Sequence, residues 1–194
     1  MDLAIIRARL AAHEPMRLPA EGLTASAVLV PFFHDAEGAL RVLFTLRTDK
    51  VGSHRGQISF PGGVIDPGDP SAEHAALREL HEELGVPREA VTVLGRVSDY
   101  PTITGYLITP FVGYLGHEPA LTPHAHEVAE VFGVPLDDLL SGRIPGTTEV
   151  WDLGGHERAI FFYQYGDHHI WGATAAILHE LLALLKDRDH VDAP

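Results

Sequence analysis

A chain of 194 residues with 45% hydrophobic content has apolar material for one domain, residues 1–194, with a full core. Its net charge of −13 is the wrong sign for a broad nucleic-acid-binding surface, and the absence of cysteine excludes a disulfide framework and thiol chemistry. No apolar run reaches the ~18–20 residues that span a bilayer, and residues 1–7 lack the layout of a secretory signal, so a cytoplasmic protein with neither membrane nor nucleic acid as partner is expected.

Residues 2–12 read as a short amphipathic helix with Leu3, Ile6 and Leu10 on one side. Strands are predicted over 25–33 and 40–47, separated by a turn at 35–38. A strand-like stretch at 57–60 enters a Gly62-Gly63 loop. A helix over 70–84 follows, with Asp69 placed to cap it, Pro70 in its first turn and Gly85 as a left-handed stop. Leu77, Leu80 and Leu84 form its buried stripe, opposite its carboxylates. Further strands are predicted over 91–98, 107–114 and 127–134, then a short helix at 135–140. Stretches 148–153 and 158–165 suit a hairpin around Gly154-Gly155, Gly166-Asp167 turns into 168–171, and a strong helix covers 173–186. Many strands in mixed order with two good helices give an α+β fold.

The densest chemistry lies between Arg78 and Val86. Glu79 and Glu83 sit one turn apart on the same helix face, and Glu82 lies on its flank, one turn beyond Arg78. Like charges at this spacing repel, so the helix needs a compensating cation. Arg78 can take Glu82, which leaves Glu79 and Glu83 for a divalent ion. Oxygen-only ligands suit a hard ion, Mg²⁺ or Mn²⁺. A Glu-Glu pair alone would read as a solvated acidic face. The strand and the glycine pair that precede the helix favour a compact metal–phosphate site, because glycine lets backbone approach a ligand closely. A phosphate-rich ligand must be neutralised locally on so acidic a chain, and Arg47, Lys50, Arg55 and Arg96 are candidates for a basic rim. Of the 13 histidines, the groups His168-His169 and His124/His126 read as surface or loop residues, since neither has zinc-site spacing.

Gly63 followed by Arg78-Glu79-Leu80, Glu82-Glu83 and Gly85-Val86 resembles the signature of the Nudix hydrolase family: Gly, five residues, Glu, seven residues, Arg-Glu-apolar-x-Glu-Glu-x-Gly-apolar. Asp69 departs from it, standing in place of the first Glu with eight residues before Arg78, and reads as a helix cap rather than a metal ligand. Upstream, the runs 43–48 and 54–63 are similar to the extra motif of the coenzyme A pyrophosphatase branch. Phe44, Thr48 and an insert with a single lysine, Lys50, are its departures. Stretches 101–106, 108–113, 131–136 and 170–175 also look like that branch, so the resemblance covers roughly residues 26–185.

This resemblance implies a mixed sheet sandwiched between helices. It implies hydrolysis of coenzyme A or acyl-CoA to 4′-phosphopantetheine species and adenosine 3′,5′-bisphosphate. Glu79 and Glu83 would hold the principal Mg²⁺ or Mn²⁺, with Glu82 helping or holding a second ion. Arg78 would orient Glu82, the Gly62-Gly63 backbone would support the site, and Glu83 or Glu127 would take a proton from water. Arg47, Lys50 and Arg55 would bind substrate, in particular the 3′-phosphate of coenzyme A. Two alternatives stand beside this reading. One is a Nudix pyrophosphatase for ADP-ribose or another nucleoside diphosphate derivative. The other is a non-catalytic nucleotide-binding scaffold, against which the three retained glutamates argue. Monomer and homodimer are both open.

Overall fold

The structure, a computed structural model, describes residues 1–48, 56–152, 155 and 157–186. In chain order the elements are α1 (Leu3–Ala12), β1 (Thr24–His34), β2 (Leu40–Arg47), β3 (Ile58–Ser59), β4 (Gly62–Val64) and α2 (Ala72–Leu84). A 3₁₀ turn at Arg88–Ala90 leads to β5 (Thr92–Arg96), β6 (Tyr100–Pro101), β7 (Tyr106–His117), β8 (Val128–Pro135) and α3 (Leu136–Ser141). The chain then forms β9 (Gly146–Asp152), β10 (Glu157–Tyr165), β11 (His168–Trp171) and α4 (Gly172–Leu185). Among the described residues no helix is long and apolar enough to cross a membrane.

β1 is the spine of a mixed eight-stranded sheet, parallel to β7 on one side. Its other edge is shared: residues 32–34 pair with β2, and residues 26–28 pair with β4. Where β2 leaves β1, β3 pairs with it instead, and β8 pairs along its opposite edge from Arg41 to Arg47. Both faces of β1 are covered, which is why its sequence is a nearly continuous apolar run rather than an alternation. Ala27 and Leu29 pack with Leu80 and Leu84 of α2, while Val30 and Phe32 join Ile6 and Leu10 of α1 and Leu178 and Leu181 of α4. The expected sheet between helices is therefore present. A second, antiparallel sheet of order β11-β10-β9 is tied to the α4 side through Tyr163 and Ile170.

Two local expectations need correction, and one short strand was not expected. Gly62 and Gly63 form a strand rather than a loop, in register with Val28 and Ala27. A side chain at Gly62 would put its Cβ 2.4 Å from the Ala27 carbonyl oxygen, so glycine is what admits β4 beside β1. The cap of α2 is Ser71, whose Oγ accepts the His74 N–H at 3.2 Å; Pro70 lies outside the helix and Asp69 is engaged elsewhere. Gly85 closes the helix as expected, at φ 71° with its N–H on the His81 carbonyl at 2.8 Å. Finally, Tyr100–Pro101 pairs with β7, a two-residue strand with no signal of its own in the sequence.

Candidate active site

The site forms where β4 passes beneath α2. Arg78, in the middle of the helix, reaches down with its whole guanidinium fork. Nε donates to Asp69 Oδ1 at 3.1 Å, and Nη2 donates to Asp69 Oδ2 at 2.9 Å and to the Val64 carbonyl at 3.0 Å. Nη1 donates to Glu79 Oε1 at 2.8 Å and Glu82 Oε2 at 3.1 Å. The expectation that Arg78 would take Glu82 and leave Glu79 is thus corrected: it holds one oxygen of each and is itself clamped bidentately by Asp69. That clamp keeps the Asp69 carboxyl below the usual carboxylate range.

Glu83, one turn beyond Glu79 along the same face, points into the protein and is 3% exposed. Oε1 lies 3.7 Å from Arg47 Nη1, while Oε2 is buried with no hydrogen-bond partner, as is Arg47 Nε. Burial pushes the Glu83 carboxyl up to about 8; the Arg47 charge opposes this, and Glu79 and Glu127 add to it. Burial likewise raises Glu79, against the pull of Arg78. Glu127 therefore lies within electrostatic reach of both acids. It sits just before β8, with its backbone carbonyl on the Thr48 N–H at 2.9 Å and its carboxylate 3.3 Å from His124.

Gly63 completes the arrangement. A Cβ there would stand 2.4 Å from Glu79 Oε1, so the carboxylate occupies space that only glycine leaves. An oxygen-only donor set with an orphaned, buried carboxylate oxygen suits a hard divalent ion held by Glu79, Glu82 and Glu83. With Glu79 and Glu82 turned to Arg78, no group of three acids or histidines among the described residues converges as a ready cage.

Beside Gly62, Gly63 and Arg47 opens a cleft of about 380 Å³. One wall carries Tyr100, Ile103 and Tyr106; the other carries Trp151, Arg158 and Trp171, from the three-stranded sheet. Sequence reasoning missed this second wall. Its available signal was the pair of tryptophans, Trp151 and Trp171, on predicted short strands near the C-terminal end of the chain. Of the expected basic rim, Arg47 is in place, Arg96 is instead bound to Asp99, and Lys50 and Arg55 lie outside the described residues. His168 stacks on Phe132 at 3.8 Å and meets Glu130 at 3.1 Å, away from the carboxylate helix.

Comparison with known proteins is consistent with this geometry. The NUDIX domain profile matches residues 23–152. The uncharacterized Nudix hydrolase NudL of Photorhabdus laumondii is 42% identical over 158 residues, 80% of this chain and 82% of that one. Human mitochondrial coenzyme A diphosphatase NUDT8 is 42% identical over 182 residues, 91% of this chain and 75% of that one. Among solved structures, the Nudix hydrolase RenU of M. smegmatis matches with a TM-score of 0.50 and 26% identity, over 62% of this chain and 75% of its own. Members of the family generally use divalent metals and act on small nucleotide-derived substrates. The glycine strand, the Arg78-centred carboxylate helix and these relatives converge: the chain belongs to the Nudix family and is a Nudix diphosphate hydrolase.

Proposed function

We propose that the chain hydrolyses the diphosphate bond of coenzyme A or its thioesters in the cytoplasm, using Mg²⁺ or Mn²⁺ and releasing 4′-phosphopantetheine species and adenosine 3′,5′-bisphosphate. The observation that carries this reading is the buried Glu83, with an unpartnered oxygen, next to Arg47, which lines the cleft together with Gly62 and Gly63. Glu79 and Glu83 would hold the principal ion, and Glu82 would assist or hold a second. Such an ion would supply neutralisation of the diphosphate charge and ease the deprotonation of the attacking water. Arg78 keeps Glu79 and Glu82 aligned while Asp69 keeps Arg78 aligned. Glu83 or Glu127 accepts a proton from the attacking water. The water oxygen bonds to phosphorus as the bridging P–O bond on the opposite side breaks, and that bridging oxygen leaves with the second phosphate. Arg47, together with Lys50 and Arg55, bears on the substrate phosphates, with Arg47 at the diphosphate end.

The substrate choice is supported by the motif from Leu43 to Gly63 and by the likeness to a relative named as a coenzyme A diphosphatase. The wall formed by β9–β11 and the start of α4 lies largely beyond residues 23–152, so we read residues 1–194 as one functional unit. The test is product identification by mass spectrometry after incubation with coenzyme A or ADP-ribose in Mg²⁺. Adenosine 3′,5′-bisphosphate from coenzyme A is the expected product. Preferential cleavage of ADP-ribose would transfer the activity to that substrate class. No turnover of any diphosphate in Mg²⁺ or Mn²⁺ would leave a nucleotide-binding scaffold.

A further inference from the structure

Coenzyme A is charged at two separated places, the diphosphate and the ribose 3′-phosphate, and the flat adenine base sits beside the second. The cleft also carries two cations, each from a different sheet: Arg47, partly buried next to Glu83, and Arg158, which is exposed. Among the described lining residues these are the cations, and no acid lines the cleft, in a chain of net charge −13. Arg158 lies directly across from Trp151 in the β9–β10 register. By the two-residue period of a strand, Arg158 and Ile160 share the face that Trp151 presents, and all three line the cleft.

Trp151 is a prepared surface rather than a stray apolar residue. Its indole N–H donates to Glu149 Oε2 at 2.8 Å, which fixes the turn of the ring, and its ring meets Phe162 at 6.1 Å. It nevertheless remains 40% exposed, and Ile103 on the facing wall is 72% exposed. Arg158 makes no ion pair among the described residues. An open indole beside an uncommitted guanidinium matches a planar base that carries a phosphate: the ring stacks, and the cation makes charge-assisted hydrogen bonds.

The geometry points to the Trp151–Arg158 pair as the specificity element of the site, with Trp151 stacking on adenine and Arg158 taking the ribose 3′-phosphate. This assignment rests on the coenzyme A reading. It gives the 3′-phosphate to a residue of the C-terminal hairpin, whereas Arg47 stands at the diphosphate end beside Glu83.

Trp151 and Trp171 are the two tryptophans of the chain, and both line the cleft. Trp171→Phe therefore leaves Trp151 as a single fluorescent reporter. In that variant, with Mg²⁺ present, adenosine 3′,5′-bisphosphate should quench the emission at about ten-fold lower concentration than adenosine 5′-monophosphate. Adding Arg158→Ala should remove the difference, and Arg158→Lys should keep part of it. In the Trp-containing enzyme, Arg158→Ala should lower the ratio of kcat/KM for coenzyme A over its 3′-dephospho form by a similar factor. Equal quenching by the two nucleotides, or a preference that survives Arg158→Ala, overturns the assignment. If coenzyme A is cleaved and no preference tracks Arg158, the hydrolase reading stands and this pair is not its specificity element. If the preference tracks Arg158 but neither form of coenzyme A is cleaved, the nucleotide site stands and the coenzyme A reading falls.

Discussion

Glu83 is a carboxylate placed where charge is disfavoured. It is buried, has one orphaned oxygen and has its ordinary range pushed up to about 8. Without metal, such a group costs stability whenever it ionises. Its folded value lies above the unfolded one, so metal-free protein should lose stability as pH rises from the ordinary carboxylate range through about 8. Glu83→Gln removes the ionisation. Thermal melts in a chelator should therefore show a flatter pH profile for the variant, with a midpoint at pH 8.5 no lower than that of wild type. A variant that melts well below wild type there would show that the charged form is held by contacts the fold already has. Activity should move the opposite way: Glu83→Gln and Glu82→Gln are each expected to lower turnover by at least ~10²-fold through loss of a metal ligand or charge-stabilising group. Steady-state rates at saturating Mg²⁺ check this, and near-normal rates in Glu83→Gln would remove that residue from the mechanism. The Arg78–Glu82 contact could be read from the sequence because it is an i,i+4 pair. The Asp69 clamp and the Arg47–Glu83 approach could not, because each closes across a turn or between strand and helix that only the folded chain brings together.

At the level of elements, α2 and β4 behave as one device, and two neighbouring glycines should separate its parts. Gly62→Ala drives a Cβ to 2.4 Å from the Ala27 backbone, which has no way to yield cheaply, so a loss of about 1–3 kcal/mol in stability is expected from overpacking. Gly63→Ala meets the end of the Glu79 side chain instead, which can swing aside. It should leave the denaturation midpoint near wild type while lowering turnover, because Glu79 loses its place. Equal destabilisation by both would mean that Glu79 cannot move. Leu80, fully buried against β1, gives the contrasting control: Leu80→Ala should cost roughly 2–5 kcal/mol in chemical denaturation. An unchanged midpoint would mean that the helix stripe is misassigned. The periodicities of α1, α2 and α4 and the apolar runs of β1, β2 and β7 were legible in the sequence, since each buries a regular face. Paired glycines punctuate turns far more often than strands, which is why β4 read as a loop; its strand character comes from a partner some 35 residues away in sequence. Ser71 displaced Asp69 as the cap for a related reason: both residue types cap well, and the choice was decided by Arg78 engaging Asp69.

The whole molecule sets a problem that its site must solve. The protein carries −13, and the proposed substrate is itself a polyanion, so long-range repulsion works against encounter while Arg47, Arg158 and bound metal attract at short range. The charge balance was plain from composition. The concentration of positive charge in one cleft was not, because its walls come from β1, β7 and a hairpin sheet distant in sequence. Ionic strength distinguishes the two contributions. The screening length is ~30 Å at 0.01 M salt and ~10 Å at 0.1 M, so this range quenches repulsion from distant surface acids while sparing contacts inside the cleft. At fixed free Mg²⁺, kcat/KM for coenzyme A should rise a few-fold, roughly two- to five-fold, between those two concentrations of KCl. Beyond ~0.3 M it should level off or fall as the cleft contacts are screened in turn. A steady decline from the lowest salt upward would show that the cleft's own field already dominates encounter, and that the acidic surface is too far from the approach path to matter. Arg158→Ala should then flatten that decline, whereas in the expected case it should lower the plateau and leave the initial rise in place.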